Sequence, residues 1–112
     1  MIHKMKLNEE YFNYIKYGTK EYEVRLNDLK RQKIKEGDFI EFRRLPLLDD
    51  KMIVEVENLL YYPSFSSLID DIDLELLADS SFSKEELEEV LHSFYTKDEE
   101  DKYGVVAIKL KK

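Results

Sequence analysis

The spacing of the hydrophobic residues changes at Pro63, and this change restricts the fold more than any other feature of the sequence. Upstream, Tyr22, Val24 and Leu26 alternate with charged residues, which is the pattern of a half-buried strand. Downstream, apolar residues recur every three or four positions, and Ser83 begins a capping box typical of a helix start. The sequence therefore predicts mainly strands before Pro63, helices after it, and a closing strand.

The predicted order of elements is helix, strand, short helix, strand, strand, helix, helix and strand, after a short extended segment at residues 2–6. These strands are too few and too close together for helical crossovers between all of them, and antiparallel pairing suits 36–44 with 51–60. An acidic turn, "KDEED", is predicted before the closing strand at 103–110. We therefore predict a single domain, residues 1–112, with an α+β fold. Its core would be a small, mostly antiparallel β-barrel with helices packed at the ends.

Charge is distributed unevenly along the chain. The net charge is −7, but residues 1–45 carry 11 Lys and Arg against 8 Asp and Glu, whereas residues 46–112 carry 7 against 17. A polyanion would be repelled by the second part and tolerated by the first. Any contact with nucleic acid must therefore be local and neutralise few phosphates. The acidic helical part leaves open a different role, as a protein-interaction domain for a basic partner.

Several kinds of site are disfavoured by composition. The chain has no cysteine, which removes disulfides, thiolate catalysis and cysteine-ligated zinc. His3 and His92 are its two histidines and lie far apart in sequence, so no metal site is predicted. No apolar run approaches the roughly 18 residues of a membrane span. We expect a cytoplasmic monomer with no cofactor and no membrane association.

Gly18, Lys20, Glu23 and Arg25 fall within eight residues at the predicted turn from the first helix into the first long strand. Gly18 occupies the position of a glycine that ends a helix, and it would let the backbone approach a ligand closely. Lys20 could hold a phosphate, Arg25 a phosphate or a base edge, and Glu23 an exocyclic amine or ribose hydroxyl. The plain alternative is a solvated strand face. If the segment is a site, we expect Lys20→Ala to be neutral or slightly stabilising, and Glu23→Gln to fold but bind poorly.

These four residues complete a longer ordered pattern, F-x-x-I-x-x-G-x-K-x-x-E-x-R, which runs from Phe12 to Arg25 and is followed by "GD" at 37–38. This pattern resembles that of the ASCH domain, a member of the PUA-like superfamily of small β-barrels. The resemblance covers nearly the whole chain. It implies a cleft between barrel and helices, lined by the motif residues, that binds RNA or a nucleotide-like small molecule.

One branch of that family resembles an amidohydrolase that deacylates acylated pyrimidine nucleosides such as N4-acetylcytidine. Its members use a lysine after the glycine turn, a threonine three residues later and a glutamate in the helical segment. Lys20 matches the lysine, but Glu23 stands at the threonine position, Asp79 is the nearest match to the third residue, and Thr19 would point away. We therefore predict a binding module rather than an enzyme. The amidohydrolase remains the alternative, with Lys20 as its catalytic residue.

Further candidates lie outside the motif. A basic run of Lys30, Arg31, Lys33 and Lys35 follows the motif strand and could extend a cationic patch, although such runs are usually solvated helix faces. Arg43 and Arg44 could join it from the neighbouring strand. Most of the aromatic residues should be core, but Phe65 and Tyr95 are favoured as stacking partners for a base. The complete predicted ligand-binding set is Gly18, Lys20, Glu23, Arg25, Lys30, Arg31, Phe65 and Tyr95.

Overall fold

The computed structural model describes residues 1–79 and 81–112. A 3-10 turn, Arg31–Lys33, accompanies the strands and helices. The elements in chain order are β1 Ile2–Leu7, α1 Glu9–Lys16, β2 Tyr22–Leu26, β3 Phe39–Arg44, β4 Lys51–Tyr62, α2 Phe65–Asp71, α3 Leu74–Leu77, α4 Lys84–Phe94, α5 Lys97–Tyr103 and β5 Val105–Leu110.

The five strands form one curled sheet in the order β1-β3-β4-β5-β2. The predicted pairing of 36–44 with 51–60 is confirmed, because β3 runs antiparallel to β4. The β4–β5 and β5–β2 pairs are also antiparallel, whereas β1 and β3 are parallel. The sheet is therefore mostly antiparallel, and with its helices it has the α+β architecture expected of a PUA-like barrel.

Strand β5 separates two hydrophobic clusters. Val105 and Ala107 pack with helices α2, α3 and α4, while Val106, Ile108 and Leu110 pack with α1 and the inner residues of β1 and β3. A strand that is covered on both faces needs an almost continuous apolar sequence, which explains "VVAIKL". Helices α2, α3 and α4 therefore pack against one side of β5, and helix α1 contributes to the cluster on the other side.

Two predicted segments differ from the structure. Residues 2–6 were expected to be merely extended, but they belong to a full strand, β1, at the edge of the sheet. The predicted acidic turn is wrong, because residues 97–103 form helix α5, which Thr96 and Glu99 begin with a capping box. One acidic residue of this helix, Glu100, is only 1% exposed and accepts hydrogen bonds from the Phe65 amide and the His92 ring. Its inward face escaped prediction because the segment looked uniformly polar.

Helices in the described part of the chain are all too short or too polar to cross a membrane.

Candidate functional site

A cleft of about 430 Å³ opens between helix α4 and the strands β1 and β2, the two edges of the sheet. The two edges approach each other here, since Arg25 on β2 donates a hydrogen bond to the main-chain carbonyl of Lys6 on β1. The volume lies in the range of roughly 300–1,000 Å³ that is usual for small-molecule sites. The lining residues are Lys6, Leu7, Asn8, Tyr11, Lys20, Glu23, Val24, Arg25, Arg31, Leu45, Leu77, Leu87, Val90, Leu91, Phe94 and Tyr95.

The turn before β2 directs the side chain of Lys20 into this cleft. Gly18 has no positive φ, but a Cβ there would lie 2.9 Å from the carbonyl oxygen of Tyr14. The glycine therefore permits a close approach to helix α1 and is not among the lining residues. After it, the Thr19 hydroxyl donates to Glu75 O and the Glu21 amide to Leu76 O, so residues 19–21 dock onto helix α3.

Lys20 is 2% exposed, and its ammonium has protein partners for all three protons. It donates to the main-chain carbonyls of Tyr22 and Leu77, and it lies 3.4 Å from Glu23 Oε1. The ring of Tyr11 is a further neighbour, with its centroid 5.7 Å from Nζ. Burial lowers the pKa of Lys20, and the attraction of Glu23 only partly offsets this effect. The lysine is thus a buried anchor at the floor of the cleft.

Glu23 is 5% exposed and lies between two cations. One carboxylate oxygen faces Lys20, and the other accepts a 2.8 Å hydrogen bond from Nε of Arg25. Burial alone would raise the pKa of Glu23, but Arg25 and Lys20 outweigh it and hold the pKa below the ordinary value. An ionised carboxylate offers about four lone-pair directions, so Glu23 keeps acceptor capacity for a ligand.

Arg25 connects this floor to the mouth of the cleft. Its Nε donates to Glu23 and its Nη2 donates to the carbonyl of Lys6 at 3.0 Å, which leaves other N–H groups of the five-donor fork for a ligand. Burial would lower the pKa of Arg25, but Glu23 and then Tyr95 raise it above the ordinary value. The guanidinium is therefore a fixed, permanently charged donor beside an ionised acceptor.

The wall opposite this charged floor is apolar. Leu87, Val90, Leu91 and Phe94 follow one another at helical spacing along α4 and line the cleft, and Phe94 is 58% exposed. Tyr95 continues the wall, and burial raises the pKa of its hydroxyl despite the nearby charge of Arg25. Burial likewise raises the pKa of Tyr11, at the same cleft, to about 12. Both phenols therefore stay neutral at physiological pH.

The structure brings five of the eight predicted site residues together: Lys20, Glu23, Arg25, Arg31 and Tyr95 all line the cleft. Three others lie elsewhere. Gly18 shapes the turn, Lys30 lines an adjoining groove, and Phe65 is fully buried behind Tyr95, with ring centroids 5.6 Å apart and nearly parallel planes.

Residues needed by the amidohydrolase alternative do not meet at the cleft. The Thr19 hydroxyl is bonded to Glu75 O, and Asp79 accepts from the Ser81 amide; neither lines the cleft. The lining side chains that the structure describes include no serine, threonine, cysteine or histidine. Within residues 1–79 and 81–112, no group of three or more histidine or acidic side chains is placed to hold a metal ion.

Sequence reasoning missed the aliphatic wall and Tyr11. The signal was present in the apolar stripe of the Ser83 helix, but a stripe of that width is normally all core. Here Leu87 and Leu91 are buried, Val90 is half-buried and Phe94 is exposed, and all four line the cleft.

Comparison with known proteins gives a consistent result over the full length. The family model of the ASCH domain matches residues 5–112. The crystal structure of hypothetical protein PH0355 is similar with a TM-score of 0.87 and 39% identity, covering 99% of this chain and 98% of that chain. The solution NMR structure of protein PF0455 from Pyrococcus furiosus has a TM-score of 0.78 and 38% identity, with 99% and 96% covered. No curated protein matches the sequence.

Proposed function

The chain belongs to the ASCH domain family, and we propose from this membership and the cleft that it binds a nucleobase, carried by RNA or by a nucleotide-like small molecule. The observation that supports this proposal most strongly is the opposition of an apolar wall and a charged floor. A flat heterocycle is apolar on its faces and polar at its edge, so it needs both surfaces at once.

Hydrogen bonding at the floor would select the edge of the base. Glu23 offers carboxylate lone pairs next to the remaining N–H groups of Arg25, so an acceptor and a donor lie side by side. A base edge that presents an amine or ring N–H next to a carbonyl or ring nitrogen complements that pair. Lys20 acts through Glu23, because its own protons are already bonded within the protein.

Stacking would occur on the α4 wall. Phe94 is exposed at the cleft, and Tyr95 is held in place by the buried ring of Phe65. Such base–aromatic contacts contribute about 1–3 kcal/mol per base when measured by alanine substitution. The stack and the charged edge together restrict the ligand to an unpaired base, as in a single-stranded segment or a free nucleotide.

The proposal is tested by titrating a short single-stranded RNA and the four ribonucleoside monophosphates into the unmodified protein and three variants. Glu23→Gln removes the negative charge at the floor, and Phe94→Ala removes the exposed ring. Phe39→Ala removes a partly exposed ring outside the cleft and is the control. We expect the two cleft variants to weaken binding about tenfold, consistent with ~1.4 kcal/mol, and Phe39→Ala to have no effect. Equal affinities in all variants would contradict the proposal.

A further inference from the structure

A groove with an almost wholly cationic lining adjoins the cleft. Six of its seven lining residues are lysine or arginine, in a protein whose net charge is −7. Three of them, Lys6, Arg25 and Arg31, line the cleft as well, so the two depressions share a wall. The cationic residues of this groove, called the basic groove below, are Lys4, Lys6, Arg25, Lys30, Arg31 and Arg43.

Strand β1 and its neighbour present this row of charges. Lys4 and Lys6 are exposed and alternate with the buried Met5 and Leu7. Both lysines therefore project from the same face of the strand, and their Cα atoms are about 6.7 Å apart. Arg43 pairs in register with Lys6 on the adjacent strand β3. The basic groove therefore runs along the edge of the sheet and reaches the mouth of the cleft at Lys6.

The positive charge of the basic groove is only partly compensated. Its arginines are held by Glu23, Asp28 and Glu41, one carboxylate each. Its three lysines make no ion pair with any residue that the structure describes, which leaves an excess of three positive charges. Arg31 is also incompletely bonded, because its buried Nε has no acceptor among the described residues. Fixed guanidinium groups beside free ammonium groups form a suitable surface for phosphate oxygens.

We propose that the basic groove binds the phosphodiester backbone next to the nucleotide whose base occupies the cleft, so that the ligand is single-stranded RNA rather than a free nucleotide. This inference rests on the proposed function, since it takes the cleft as the base site. Lys6 and Arg25 line both depressions, so a base in the cleft and a phosphate in the basic groove lie close enough to belong to one ligand. The net charge of −10 on residues 46–112 opposes wrapping by a long duplex and confines the contact to a few phosphates.

The experiment compares two triple variants that lower the net charge equally. Lys4, Lys6 and Lys30 are changed to Gln in the groove variant, and Lys84, Lys102 and Lys111, which are exposed and line neither depression, are changed to Gln in the control. A fluorescent single-stranded RNA of about eight nucleotides is titrated between about 50 and about 200 mM salt. We expect the groove variant to lose about tenfold in affinity. The slope of log Kd against log salt should fall by about 2, with both quantities unchanged in the control.

Equal behaviour of the two triple variants would overturn the inference, as would a mononucleotide that binds as tightly as the RNA. The variant Phe94→Ala, titrated in parallel, separates this failure from failure of the proposed function. If Phe94→Ala weakens RNA binding and the groove variant does not, the cleft is the base site and the backbone lies elsewhere. If only the groove variant weakens binding, the proposed base site is wrong. Absence of RNA binding in the unmodified protein would overturn the inference, and the proposed function would be overturned as well if the ribonucleoside monophosphates also failed to bind.

Discussion

Lys20 donates a hydrogen bond to the main-chain carbonyl of Leu77, the last residue of helix α3. This bond joins the turn before β2 to helix α3. The carbonyls at the end of a helix lack intrahelical partners, and here a buried ammonium supplies one. The same side chain also satisfies Tyr22 O and faces Glu23. The cleft floor and the packing of α3 are therefore stabilised by one residue.

The first prediction concerns Lys20→Ala. The sequence alone led us to expect a neutral or slightly stabilising change, but the buried position reverses that expectation. The substitution would leave two main-chain carbonyls without their donor and Glu23 with one cation instead of two. We expect a loss of about 1–3 kcal/mol in the free energy of unfolding, measured in urea. An unchanged or higher stability would show that the cost of burying the charge exceeds its bonds.

The variant Glu23→Gln tests whether the face of β2 that carries Glu23 and Arg25 is shielded from solvent. A buried ion pair that loses one partner typically costs about 3–5 kcal/mol, because the remaining charge is left uncompensated. Here Arg25 keeps its bond to Lys6 O, so we expect a loss near the lower end of that range. The control is Glu57→Gln, which removes a surface partner of Lys109 that is outside the cleft, and it should stay within about 0.5 kcal/mol. Equal small effects would support a solvated strand face instead.

The stability difference between the unmodified protein and Glu23→Gln depends on pH, because the pKa of Glu23 is lowered in the folded protein. A carboxylate with a lowered pKa contributes stability above its unfolded pKa, near 4.5, and loses that contribution as the pH falls through the folded pKa. The gap in stability between the unmodified protein and Glu23→Gln should therefore be full at neutral pH and shrink in acid. Urea unfolding of both proteins from about pH 7 to about pH 3 measures it. A gap independent of pH would mean that the charge of Glu23 contributes nothing.

How far the sequence could predict this molecule is clearest at β2. Alternation predicted Glu23 and Arg25 on one face of a strand and Val24 on the other; the side chains of Glu23 and Arg25 do bond to each other, and Val24 packs in the hydrophobic core. Alternation of polar and apolar residues carries no information on what covers the polar face, and in most strands that face is covered by solvent. The curl of the sheet brings the other edge strand and α4 over that face, which depends on long-range packing. Burial of Lys20 was hidden for the same reason, since Leu77 lies 57 residues away.

Local signals performed better where they act within one turn of helix. The Ser83 capping box predicted the start of α4 correctly. The equivalent pair Thr96 and Glu99 begins α5, but it was overlooked because the following residues are nearly all charged and show no apolar stripe. The ordered motif from Phe12 to Arg25 identified the family, which the match of the ASCH domain model to residues 5–112 confirms.

Incubation with N4-acetylcytidine provides a test of the amidohydrolase alternative. Since Glu23 replaces the threonine, and Thr19 and Asp79 lie outside the cleft, we expect no release of cytidine above the rate without protein. Chromatography of the reaction mixture over time measures this. Robust turnover that Lys20→Ala abolishes would contradict the prediction and make the protein a hydrolase.

The central claim is that the surface between β2 and α4 holds a nucleobase, and amide NMR spectra recorded during titration with single-stranded RNA and with nucleoside monophosphates test it most directly. We expect shifts at Lys20, Glu23, Arg25 and Tyr95 with both kinds of ligand, and additional shifts at Lys4 and Lys30, which line the basic groove alone, with RNA. Shifts confined to the acidic outer faces of α4 and α5, or no shifts at millimolar ligand, would contradict the account.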